Sequence, residues 1–117
     1  MGTWGHTPLE NDSAQDLLGN FNDAKNIAVL EQALDAVINL KSDQYLEAPE
    51  AEQAVAASQV IRDLSADDLK EEDRSRLTEK SAKALKRVLE NSELKELWTE
   101  APEYKDWIAA VEKLISK

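Results

Sequence analysis

Residues 25–41, KNIAVLEQALDAVINLK, decide how this chain folds. Ile27, Leu30, Leu34, Val37 and Ile38 recur at the three- and four-residue steps that put them on one face of a helix, while Glu31 and Asp35 fall elsewhere. A strand would need apolar and polar residues to alternate. No β-branched run in the chain does so for long enough to suggest a sheet.

The same period extends in both directions. Upstream, Asp12 is placed to cap a first helix, with Gln15 completing a capping box and Ala14, Leu17, Leu18 and Phe21 inward; Gly19 and Asn20 predict that it is short. Downstream, Pro49 suits the opening of a third helix, with Glu50 and Glu52 at the positive end of its dipole. Its inward stripe is Ala51, Ala54, Val55, Ser58, Ile61 and Leu64, small residues that let a neighbour approach closely. Residues 65–76 are polar and charge-dense around an isolated Leu69, and they read as a mobile loop or a poorly packed turn. A fourth helix from Thr78 to Asn91 turns Leu77, Ala84, Leu85, Val88 and Leu89 inward. Arg76, Lys80, Lys83 and Arg87 then share the opposite side, facing solvent or a partner. Ser92 caps a short fifth helix with Leu94, Leu97 and Trp98 inward. Pro102 starts a sixth, with Tyr104, Trp107, Ile108, Val111, Leu114 and Ile115 as its stripe. That stripe covers too few heptads for a coiled-coil seam, so it predicts packing into the chain's own core.

The fold class is therefore all-α: a single domain, residues 1–117, forming a compact bundle of five or six helices. Two helical hairpins joined by an acidic loop are the alternative layout. Tyr45-Leu46-Glu47-Ala48-Pro49-Glu50 and Trp98-Thr99-Glu100-Ala101-Pro102-Glu103 echo one another, as a duplicated hairpin would, although Ala-Pro-Glu is in any case a good helix opening.

Charge carries the only functional lead. Lys and Arg number 14 against 24 Asp and Glu, a net charge of −10, so nucleic acid and anionic membrane surfaces are repelled. Residues 1–58 hold ten acids and two bases, whereas residues 59–117 hold fourteen and twelve. With no cysteine there is no disulfide and no thiolate metal site. No apolar run reaches the roughly 20 residues of a membrane span. The opening residues lack a secretory signal, and His6 stands where myristoylation needs Ser or Thr, so a cytoplasmic location is expected.

Catalysis finds little support. His6 is the single histidine, and a turn beside Trp4 accounts for it. Asn11, Asp12 and Asp16 place oxygens one turn apart without the spacing of a calcium loop, and helix capping explains the same residues. Three glycines cannot build a phosphate loop, and the serines sit in no nucleophile elbow. Neither an enzyme nor a cofactor is expected.

Met1-Gly2-Thr3-Trp4-Gly5-His6, followed by Asn11-Asp12-Ser13-Ala14 and Asp16, resembles the N-terminal signature of a bacterial family, domain of unknown function 4259. Tyr45 to Glu50, Ser92 to Trp98, and Trp107 resemble its later patterns, so the likeness spans nearly the whole chain. Leu9 and Leu17 depart from it, standing where the family is expected to carry an aromatic residue and a tryptophan. The resemblance implies a small, stand-alone, helical, bacterial protein and transfers no activity.

The reading that follows is a non-enzymatic binding protein whose acidic first half docks against a basic protein partner. Its concrete form is an immunity or antitoxin-type protein masking the cationic active site of a nuclease toxin. The expected contact residues are Glu47, Glu50, Glu52, Asp63, Asp67, Asp68, Glu71, Glu72 and Asp73. In the alternative, a structural or self-associating domain, the stripe of Arg76, Lys80, Lys83 and Arg87 meets the acids of a second copy.

Overall fold

The computed structural model describes residues 12–24, 27–41, 43–64 and 67–115. Six helices follow in order: α1 (Asp12–Ala24), α2 (Ala28–Ile38), α3 (Ala48–Asp63), α4 (Glu71–Glu90), α5 (Glu93–Thr99) and α6 (Tyr104–Ile115). The expected all-α bundle is what forms. Trp4, His6, Leu9, Asn11 and Ser65 lie outside the described residues.

The centre of the bundle is α3, which packs against each of the other five helices. Its composition explains that position. Ala51, Ala54, Ala56 and Ala57 are fully buried, as are Val55, Ser58, Val60 and Ile61 to within a few per cent, so the helix is covered nearly all round. A helix enclosed on several sides must bring many backbones close, and alanine allows this while keeping the highest helix propensity. The sequence reading named one stripe of this helix; Ala48, Ala56, Ala57 and Val60 are buried in addition.

On α2, Leu30, Leu34 and Val37 are buried with Ala33, and Ile27 and Ile38 flank them half-buried. This helix lies on both α3 and α4. The halves before and after the acidic junction therefore interlock and do not stand as two separate hairpins. The Cα radius of gyration, 13.3 Å, is that of one compact unit of this length.

Two boundaries differ from expectation. First, α1 runs through Gly19 and Asn20 for 13 residues, because Ala14 and Leu17 are buried and Leu18 and Phe21 pack beside them; tertiary contact outweighs weak propensity. Asp12 is its first helical residue rather than a cap before it. Gly19 is exposed, with open space where a Cβ would stand. Gly19→Ala should therefore raise stability by about 0.5–1 kcal/mol, visible as a higher thermal midpoint.

Second, α4 begins at Glu71, seven residues before Thr78, and Leu69 just ahead of it is 3% exposed. The segment expected to be a mobile loop is anchored. Arg74 donates from Nη1 to Ile61 O at 3.1 Å and from Nη2 to Leu64 O, tying the first turn of α4 to the end of α3. Glu71, Glu72 and Asp73 occupy that first turn, where the helix dipole favours negative charge. What reads as a charge-dense loop is a helix start.

Ser92 caps α5 as expected: its Oγ accepts from Lys95 N at 3.0 Å and donates to Val88 O at 2.7 Å. Leu94 is buried and Trp98 half-buried, but Leu97 points outward, 52% exposed. Trp98 stacks on Trp107, with ring centroids 6.0 Å apart and planes 9° from parallel, joining α5 to α6. Trp107 and Val111 are core residues. The echoed Ala-Pro-Glu segments play different parts. Pro49 lies in the first turn of α3, whereas Pro102 sits in a turn two residues before α6.

Candidate functional site

Nine carboxylates were expected to form a contact surface, and α3 divides them. Glu47, Glu50 and Glu52 are at its start and Asp63 at its end, so that about 16–24 Å of helix separates them. Asp67, Asp68, Glu71, Glu72 and Asp73 follow Asp63 around the corner into α4. The structure thus makes two acidic patches.

Within the corner patch, Asp67, Asp68, Glu71 and Glu72 are exposed, and Asp67, Glu71 and Glu72 carry no ion pair among the described residues. Asp63 is exposed and accepts from Gln59 Nε2 at 3.0 Å through both oxygens. Asp73 is bound, by Arg76 Nη1 at 2.9 Å.

At the other patch, Glu47 is the residue before α3 but its side chain makes no cap. Glu93 of α5 does that work: its Oε1 accepts from Ala48 N at 2.7 Å, while Glu93 N donates to Leu46 O at 2.8 Å. Tyr45 stands beside this junction, 52% exposed. Partial loss of water around the phenol, then the charges of Glu96 and Glu93, push its pKa up. Among the described residues, Tyr45 and Leu97 are the exposed large apolar side chains. Sequence reasoning missed them, because periodicity placed Leu97 inward and nothing local fixed which side of so short a helix meets the core.

The basic stripe does not face solvent as a free surface. Arg76 makes a forked pair with Glu31, Nε–Oε2 3.1 Å and Nη2–Oε1 3.2 Å. Lys80 Nζ reaches Glu31 Oε2 at 2.7 Å and Asp35 Oδ1 at 2.8 Å. Arg87 donates to Lys41 O, Gln44 O and Asn91 O. Lys83 alone of the four is exposed without such a bond. The stripe lies against α2 and the segment after it because α2 and α4 pack together, a contact that periodicity within α4 cannot reveal.

The α2–α4 ion cluster is pH-sensitive at its acidic edge. Hydrogen bonds from Arg76 and Lys80 hold the Glu31 carboxyl below its ordinary 4.5. Its contribution to stability is then complete above pH 4.5 and is lost as the pH falls through the depressed value. Hydrogen bonds to Asp35 and then Glu31 raise Lys80, whose contribution is complete below the ordinary lysine value of 10.5 and is lost as the pH rises through the raised one, while Glu31 and then Asp73 raise Arg76, which stays charged throughout that range. Glu31→Gln should lower the thermal midpoint at pH 7 and flatten its acid limb, and about 0.5 M salt should shrink the difference, because the cluster is partly open to water. An acid limb unchanged by the substitution would show that Glu31 does not drive it.

Among the described residues no three His, Cys, Asp or Glu side chains come together in a way that would hold a metal ion. Asp12 and Asp16 sit exposed on α1. No described helix is long and apolar enough to cross a membrane.

These features define a class: an all-α bundle with nine of its carboxylates divided between two surface patches and most of its α4 cations engaged internally. The family model for "Domain of unknown function (DUF4259)" matches residues 2–110, and the chain belongs to that family. No curated protein and no solved structure was found to match it.

Proposed function

We propose that this chain is a non-enzymatic binding protein whose acidic corner, Asp63 to Glu72, receives a basic surface of another protein. In its concrete form it is an immunity or antitoxin-type protein that covers a cationic nuclease active site. One observation carries the reading. Asp67, Glu71 and Glu72 stay exposed and make no ion pair among the described residues; Lys70 is the one cation within the run from Asp63 to Asp73, and the arginines that follow, Arg74 and Arg76, are turned to backbone carbonyls and to Glu31 and Asp73. An unneutralised patch of this kind accelerates encounter with an opposite charge and sets register. The location is cytoplasmic under this reading, where a toxin's target nucleic acid would be guarded.

The test is co-expression with the products of neighbouring genes. A basic partner should co-purify, and reversing Asp67, Asp68, Glu71 and Glu72 to lysine should slow association by about tenfold or more at low salt. Because lysines in the first turn of α4 oppose the helix dipole, the Asn/Gln version of the same four positions serves as a second variant with milder effect on folding. A partner that associates at an unchanged rate with both variants would sink the proposal. The alternative, a structural or self-associating domain, would have to draw on Lys83 and the exposed part of Arg76, since Arg76, Lys80 and Arg87 also bond within the molecule, and a salt-sensitive dimer in sedimentation would favour it.

A further inference from the structure

Between α3, α4 and α6 lies a groove of about 780 Å³, within the roughly 300–1,000 Å³ of small-ligand sites. Ile61, Ala82, Leu114 and Ile115 give it an apolar wall, and Arg62, Arg74 and Arg76 also line it. The chain has four arginines and a net charge of −10, yet three of the four meet here. Their charges are not equally compensated. Arg76 is matched by Glu31 and Asp73, and Arg62 donates to Lys113 O at 2.6 Å. Arg74 bonds only the neutral carbonyls of Ile61 and Leu64 and makes no ion pair among the described residues. It is half-buried, and a guanidinium has five N–H donors, of which these bonds occupy two. Glu71 and Glu79 line the groove too, but both are exposed, with water to screen them.

A second observation points into the same place. Three helical serines line the groove, Ser58, Ser75 and Ser81, of which Ser75 is exposed to water. Ser58 Oγ donates to Ala54 O at 2.9 Å, the ordinary bond of a serine to the preceding turn. Ser81 is 5% exposed, and its Oγ is buried with no hydrogen-bond partner. An orphaned buried hydroxyl is costly and rare in a folded protein. Ser81 belongs to the lining of the groove, so a bound group is placed to meet this hydroxyl.

We propose that the groove binds a small amphiphile with an anionic head, a carboxylate or a phosphate. The head accepts hydrogen bonds from Arg74 and Ser81, and the apolar body lies along Ile61, Ala82, Leu114 and Ile115. An anion supplies acceptors only, which is what a guanidinium and a donor-bearing hydroxyl both lack. A cationic head would meet Arg74 with like charge, and a neutral one would leave that charge unanswered.

Calorimetric titration of the full chain at constant ionic strength, with octanoate, octyl phosphate, octanol and octylammonium below their aggregation limits, tests this. One or both anions should bind with a Kd on the order of 0.1–1 mM, and octanol and octylammonium about tenfold more weakly or not at all. Binding by one anion alone identifies the head group. Ser81→Ala should weaken the anion about fivefold without lowering the thermal midpoint, since it removes an unsatisfied group. Ala82→Trp should fill the groove and abolish binding. Arg74 also ties α3 to α4, so the serine variant separates loss of a contact from loss of fold. Failure of both anions to bind, equal binding of octanol, or affinity unchanged in both Ser81→Ala and Ala82→Trp would overturn the proposal. Glu71 lines the groove and also belongs to the acidic corner, but neither variant alters it, so these outcomes do not depend on the partner surface.

Discussion

Leu34→Ala is expected to destabilise the bundle by about 2–5 kcal/mol, toward the upper end of that range. Leu34 is completely buried on α2, which packs against α1, α3 and α4. Truncation leaves a cavity, and its cost depends on how far the surroundings collapse into it. The helix on which α2 packs most extensively is α3, whose buried alanines have no side-chain rotamers with which to fill space. Since domains are commonly stable by about 5–15 kcal/mol, this single change removes a large share. Urea unfolding should show a lower midpoint with the slope preserved. A loss below about 1 kcal/mol would mean that the α2–α3 contact is loose enough to close over the hole.

The opposite change on the facing helix is expected to be nearly as damaging. Ala57→Leu adds three carbons at a position with no exposed surface, on the helix that all five others touch. Overpacking of a closed site costs about 1–3 kcal/mol and at times more. With neighbours on several sides, the added atoms have no direction in which to be relieved. Ala36→Leu on the exposed face of α2 is the control and should stay within about 0.5 kcal/mol of the parent. If both leucine variants melt alike, α3 is not the enclosed centre described above.

The candidate contact surface was legible only in part. Acidity and the run from Asp63 to Asp73 are plain in the sequence, and both acids and bases are where the chain order puts them. Neutralisation is not legible, because it depends on contacts between distant segments. Glu31 and Asp35 read as the solvent face of α2, yet they hold Lys80 and Arg76, more than forty residues away. Asp73 reads as one of the free acids and is bound by Arg76 three residues on. Glu93, in the first turn of α5, caps α3, a role that nothing in its local sequence marks. Arg74 and Ser81 carry no signal at all as ligand donors until α3, α4 and α6 bring a groove between them.

Periodicity by itself determined that the chain is helical and identified much of the core, from Leu30, Leu34 and Val37 to Trp107 and Val111. An apolar stripe is a local property, repeated every three or four residues, and it requires no knowledge of what it will meet. The tertiary structure alone decided the rest: the enclosure of α3, the outward turn of Leu97, the seven extra residues of α4 and the fate of each cation. A helix can present its charges to water or to another helix at similar cost, so the choice falls to packing between segments far apart in the chain.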